Sequence, residues 1–146
     1  MTRATEGSWT PILAISPDVW LGLRDDSLAL GDRIAPKRDV DITNPVGLLP
    51  CLERPYRDVV TDLAAREAEL GLRPGELLSR VPLGALPRLA VDVRMDHWAR
   101  RALEWLPDMA SKEEAERLLA LVVGADWASQ HTRHVAKRMR GTHSKS

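Results

Sequence analysis

Apolar residues recur at helical spacing most regularly from Asp92 to Leu106, where Met95, Trp98, Ala99, Ala102, Trp105 and Leu106 share one face. Residues seven apart return to nearly the same angle on a helix of about 3.6 residues per turn, so Trp98 and Trp105 are expected to anchor one buried stripe. The opposite face carries Asp96, His97, Arg100, Arg101 and Glu104. Asp96 with Arg100 and Arg101 with Glu104 are spaced as ion pairs of a wet helix surface. Pro107 is expected to halt this helix.

Three further segments carry the same period. Tyr56, Val59, Val60, Leu63, Ala64, Glu67 and Leu70 follow i, i+3, i+4, i+7 spacing, between Pro55 at the start and Gly71 at the position of a C-terminal cap. Glu67 is the one polar residue on that apolar face. Ser111-Lys112-Glu113-Glu114 has the form of a capping box and opens a helix to Val123, closed by Gly124. Its Ala115, Leu118, Leu119, Leu121, Val122 and Val123 span more than one narrow stripe, which predicts packing on more than one side. A last helix is expected from Asp126 or Ser129 to Arg140, with Trp127, His131, Val135 and Met139 along it. Between Gly71 and Pro87 the prolines and glycines leave room for one short helix, Gly75 to Arg80.

The first third is less regular. Trp9 to Ile15 is a short apolar run broken by Pro11, compatible with a strand or an extended lead-in. Ser16-Pro17-Asp18 has the form of a helix N-cap, yet Trp20 to Leu23 and Leu28 to Leu30 equally read as two short strands joined at Asp25-Asp26. Both readings stand. Gly31 to Pro50 is rich in breakers and charge and reads as an irregular connection; so long a loop is either functional or contains a short element of its own.

These elements predict a mainly α fold, a compact bundle of about four to five helices over residues 52–140. Residues 1–50 would form an irregular N-terminal segment with room for short strands, frayed over 1–8, and residues 141–146 a mobile tail. At 146 residues a single domain, 1–146, is the expectation. The segments 55–70 and 92–106 show no self-similarity, which argues against a repeat array.

Charge adds one asymmetry. Lys plus Arg and Asp plus Glu are equal at 21 each, so no whole-chain charge argues for nucleic acid or an anionic membrane. From Trp127 onward there are five basic residues and no acidic ones, leaving 16 basic against 21 acidic before it. Cys51 is the single cysteine, which excludes an internal disulfide and fits a reducing, cytoplasmic setting. The N-terminus lacks the apolar core of a signal peptide, and no run approaches the roughly 18 apolar residues of a membrane span, so no membrane partner is expected.

Candidate chemistry is sparse. The chain has no GxxxxGK[ST], GxGxxG, HExxH or GxSxG pattern, and no catalytic residue or cofactor is assigned. Cys51 lies among leucines, as a packed thiol does. Asp92, Asp96, His97, His131 and His134 would form a metal or acid–base cluster if the tryptophan helix and the last helix pack side by side, although neighbouring Arg133, Lys137 and Arg138 oppose a divalent cation. Arg133, Lys137, Arg138 and Arg140 form a basic surface suited to phosphates, with Trp127 as a stacking neighbour. The preferred reading is a non-catalytic protein-interaction or regulatory module that meets another protein through a helical surface. A nucleic-acid-associated protein using the last helix comes second, and a small enzyme or metal-binding protein third.

Overall fold

Four short strands occupy the segment that resists helical spacing. The computed structural model describes residues 8–109 and 111–145, with side chains as far as residue 141. β1 (Trp9–Ser16), β2 (Val19–Arg24), β3 (Ser27–Gly31) and β4 (Pro36–Asp39) form one antiparallel sheet in the order β1-β2-β3-β4. The fold is therefore α+β, and the expected mainly α, all-helical bundle is incorrect. Two tight turns account for the difference. Pro17-Asp18 and Asp25-Asp26 connect the strands, and Asp25 adopts φ 57°, a left-handed conformation that aspartate tolerates better than most residues. Ser16-Pro17-Asp18 thus closes a hairpin and caps no helix.

The strand period was hidden by irregular pairing. Register shifts between Pro11 and Leu13 and between Ala14 and Ser16 interrupt the alternation of β1, so Ile12, Leu13 and Ile15 are all buried. Between β2 and β3 the pairing is regular: Leu21 faces Leu30 and Leu23 faces Leu28, while Trp20 faces Gly31 and Gly22 faces Ala29. A Cβ on Gly22 would sit 2.6 Å from Cη2 of Trp9, so the absent side chain makes room for that ring. Trp9 Nε1 also donates to the carbonyl of Asp32 at 2.9 Å. β4 carries Lys37, Arg38 and Asp39 outward, charges that discourage a further strand from adding at this edge.

The stretch Gly31 to Pro50 is less irregular than its composition predicts, since it contains β4 and the start of a 3-10 helix, Val46–Glu53. Leu48, Leu49, Cys51 and Leu52 of that helix are buried. α1 (Tyr56–Leu70) follows as the spacing predicts, with Val59, Leu63 and Glu67 buried and Gly71 closing it at φ 73°. α2 (Glu76–Arg80) is the short helix expected there. Glu67 is buried because it caps α2: its carboxylate accepts from the backbone N–H of Gly75 at 2.8 Å, Leu77 at 2.7 Å and Leu78 at 3.3 Å. The residues up to Leu83 form one compact unit and those from Gly84 a second.

The second unit is helical. α3 (Leu86–Asp92) begins with Pro87 in its first turn, and α4 (Asp96–Met109) follows. The expected helix from Asp92 to Leu106 is thus two helices, broken where Arg94 takes φ 57°. The break leaves Met95 outside α4 and 51% exposed, and Trp98 half-buried in the first turn, so the stripe is carried by Ala99, Ala102, Leu103, Trp105 and Leu106. Pro107 does not stop α4. It lies in the last turn, where one lost backbone hydrogen bond is all that its missing N–H costs.

Ser111 caps α5 (Lys112–Val123), its hydroxyl accepting from Glu114 N at 3.1 Å, the first half of the expected capping box. α6 runs Gln130–Lys145, past Arg140. Ser129 Oγ accepts from Thr132 N at 3.1 Å and starts it. Leu103, Leu106, Leu118, Leu119, Val122 and Ala136 lie at the centre of this unit. Among the described residues no helix is long and apolar enough to cross a membrane. The expected fraying of residues 1–8 falls outside the described residues, Ser8 excepted.

Candidate functional site

The start of α4 does approach the start of α6. Asp96 accepts from the backbone N–H of Ser129 at 2.7 Å, which ties the two N-termini together. Its burial would raise the carboxyl, but bonds from the Ser129 N–H and the Thr132 and Ser129 hydroxyls, with the Arg100 charge, hold it below the ordinary aspartate value. Asp96 is thereby a structural acceptor. Asp92 belongs to α3 and pairs with Arg88 at 3.3 Å, and His97 stands edge-on to Trp98 with ring centroids 4.7 Å apart. His131 and His134 are exposed on α6. Among the described residues no group of three His, Cys, Asp or Glu is placed to hold a metal ion.

The basic helix turns partly toward its own unit. Arg140 pairs with Glu116 of α5 at 3.5 Å, Arg133 is half-buried with its Nε shielded from solvent, and Arg138 is already engaged. Among these four cations, Lys137 is the one that is both exposed and without an ion pair in the described residues. Of the four, Arg140 is thus paired with a carboxylate of its own unit.

Cys51 is 2% exposed, and burial pushes its thiol up to about 12 despite the opposing charge of Arg54. Almost no thiolate exists at neutral pH in such a setting, so the side chain is unsuited to nucleophilic work.

A different surface emerges on α5. Ala115, Leu118, Leu119 and Val122 are buried, but Leu121 remains 49% exposed, with Ala120 exposed beside it. As its wide apolar arc predicts, α5 is packed by more than one neighbour, α3, α4 and α6, and Leu121 is the member of that arc left half-exposed. Leu118, Ala120 and Leu121 form the floor of a groove of about 530 Å³ whose rims are Arg88 of α3 and Glu114 and Arg117 of α5. Arg88 is paired with Asp92, whereas Arg117 meets no carboxylate among the described residues. The groove thus combines an apolar floor with a guanidinium, Arg117, and a carboxylate, Glu114, neither in an ion pair among the described residues. The excess of apolar residues on this helix was the sequence signal for it; the rim residues gave none, because α3 and α5 are brought together only by folding.

No family model, no curated protein and no solved structure matches the chain.

Proposed function

We propose that the chain is a non-catalytic protein-interaction module of the cell interior, and that its α3–α5 groove receives a segment of another protein. The half-exposed Leu121 above a groove floored by Leu118 carries this reading. A leucine held half in water by a helix whose other leucines are buried leaves apolar area that a partner would remove from solvent, at about 25 cal/mol per Å². On the rim Arg117 suits a partner carboxylate and Glu114 a partner cation, so the occupant is an apolar segment flanked by side chains of both charges.

Two of the groups on which an enzyme reading would depend are taken up by the fold. Asp96 accepts from the start of α6, and Cys51 is shielded from solvent. These engagements support the interaction reading over catalysis.

A photocrosslinking amino acid placed at position 121 of the full chain, expressed in its own cells, tests the reading. A discrete adduct to one other protein, lost on Arg117→Glu, is the expected result. An adduct only to a second copy of the chain, or none beyond that of the same crosslinker at exposed Lys112, overturns it.

A further inference from the structure

The first unit carries a second surface whose chemistry differs from that of the groove. Its centre is Trp20 of β2, which faces Gly31 on β3. Gly31 has no side chain, and the space a Cβ would enter is filled by the carbonyl oxygen of Ala35, so the β3–β4 turn folds back close to the strand. That turn is braced. Asp32 N donates to Ala35 O at 3.0 Å, and Asp32 Oδ1 accepts from the N–H groups of Ile34 at 2.7 Å and Ala35 at 2.8 Å. Trp9 Nε1 holds the Asp32 carbonyl from the other side.

The brace displays two unlike side chains. Ile34 is 87% exposed, the most exposed large apolar residue among the described residues. Arg33 lies with its guanidinium carbon 5.5 Å from the Trp20 ring centroid, a cation–π arrangement. A hollow of about 240 Å³ is lined by Pro17, Asp18, Trp20, Asp32, Arg33 and Ile34, and another of about 300 Å³ by Pro11, Trp20, Arg33, Arg66 and Glu69.

Charge distinguishes the two guanidinium groups here. Arg66 is satisfied by the Pro11 carbonyl at 2.8 Å and by Glu69 at 3.0 Å. Arg33 meets no carboxylate among the described residues, and the nearby Asp32 is engaged by the turn amides and by Lys37 at 3.6 Å. An arginine laid on an aromatic face keeps the N–H groups of its edge directed outward in a planar fork, the geometry that a carboxylate accepts bidentately. Each hollow has room for at least one large side chain. An extended chain, which sends alternate side chains to one side, can place one residue in a hollow and another on the fork.

We propose that the Trp20–Arg33–Ile34 surface binds an extended, acidic segment of a partner protein. An Asp or Glu of that segment pairs with Arg33, and an apolar residue two positions away packs between Pro17, Trp20 and Ile34. Tryptophan and arginine are among the residue types most enriched at the energetic centres of protein interfaces, and a prearranged turn lowers the ordering cost of binding. This surface belongs to the first unit and stands independently of the groove on the second.

The test is a random-peptide display selection on the full chain, followed by calorimetric titration of the synthetic consensus peptide. The expected consensus pairs Asp or Glu with a bulky apolar residue two positions away. Its affinity should fall by about tenfold or more in Arg33→Ala and in Ile34→Ser, less in Arg33→Lys, and should weaken as salt is raised. Arg33→Glu should select basic peptides in place of acidic ones. Leu121→Asp should leave the peptide's affinity unchanged; a loss there with Arg33→Ala silent would place the peptide in the groove and overturn this proposal while supporting the other. A consensus without acidic residues, or no enrichment at all, overturns it as well.

Discussion

Glu67 shows how one side chain can contradict a pattern and still be part of the fold. On α1 it occupies a position where the helical period calls for an apolar residue, and it is 3% exposed. α2, five residues long, begins at Gly75 with no side-chain cap of its own, and Glu67 provides the acceptors from another helix. The Gly75 N–H in particular, against the opposing effect of burial and with help from Leu78 and Leu77, holds the carboxyl below its ordinary value. A carboxyl lowered in the folded state stabilises fully above its unfolded value and loses that contribution as pH falls through the folded one. Glu67→Gln should therefore lower Tm at neutral pH and narrow the gap to wild type in acid, as read by calorimetry across pH; an equal deficit at every pH would show that the charge is not the acceptor. Cys51 offers a second check. With the thiol pushed up to about 12, iodoacetamide at about pH 8 should leave the native chain unmodified and alkylate it only in denaturant, as mass spectrometry would show.

At the scale of elements, the break between α3 and α4 and the incomplete cover of α5 at Leu121 each have measurable consequences. Arg94 at φ 57° holds a conformation that costs a residue bearing a Cβ about 1 kcal/mol or more, so Arg94→Gly should be neutral or stabilise by up to about 1 kcal/mol in urea unfolding. Were the two helices one, the same change would destabilise by about 1 kcal/mol. On α5, Leu119 is fully buried and Leu121 is not. Leu119→Ala should cost about 2–5 kcal/mol, while Leu121→Ser should stay within about 0.5 kcal/mol. Equal costs would mean that Leu121 is already packed, which would remove the basis for the groove. In the sheet, Gly22→Val must displace the Trp9 ring and should cost about 1–3 kcal/mol.

For the molecule as a whole, formal charge is balanced at neutral pH, so net repulsion is small there and grows in acid as the 21 carboxylates take up protons, adding to the effect of individual carboxyls. Asp32 is lowered chiefly by the Ala35 N–H, Asp41 by the Thr43 hydroxyl, Glu67 by the Gly75 N–H, and Asp96, against its burial, by Ser129. All four shift in the same direction. Their joint contribution is present above the ordinary carboxyl values of 3.8 and 4.5 and declines as pH falls through and below them. Tm should thus be flat near neutrality and drop steeply below about pH 4.5, and Asp96→Asn should reduce that slope. A Tm that rises on acidification would contradict the assigned hydrogen bonds.

By itself the sequence determined the elements whose reasons are local. Pro55 and Gly71 bound α1, and Ser111 with Glu114 starts α5, because caps and apolar period act within a few residues. Where a short strand depends on its neighbour, tertiary structure decided: the two register shifts in β1 erased the period-two signal, and the choice between helix and hairpin over residues 16–30 was made by pairing across two turns. The candidate site divides in the same way. The roles of Asp96 and Arg140 were set by partners 33 and 24 positions away in the chain, Ser129 and Glu116. The apolar excess of α5 was legible in the sequence, but only packing could show which of its leucines would be left facing water.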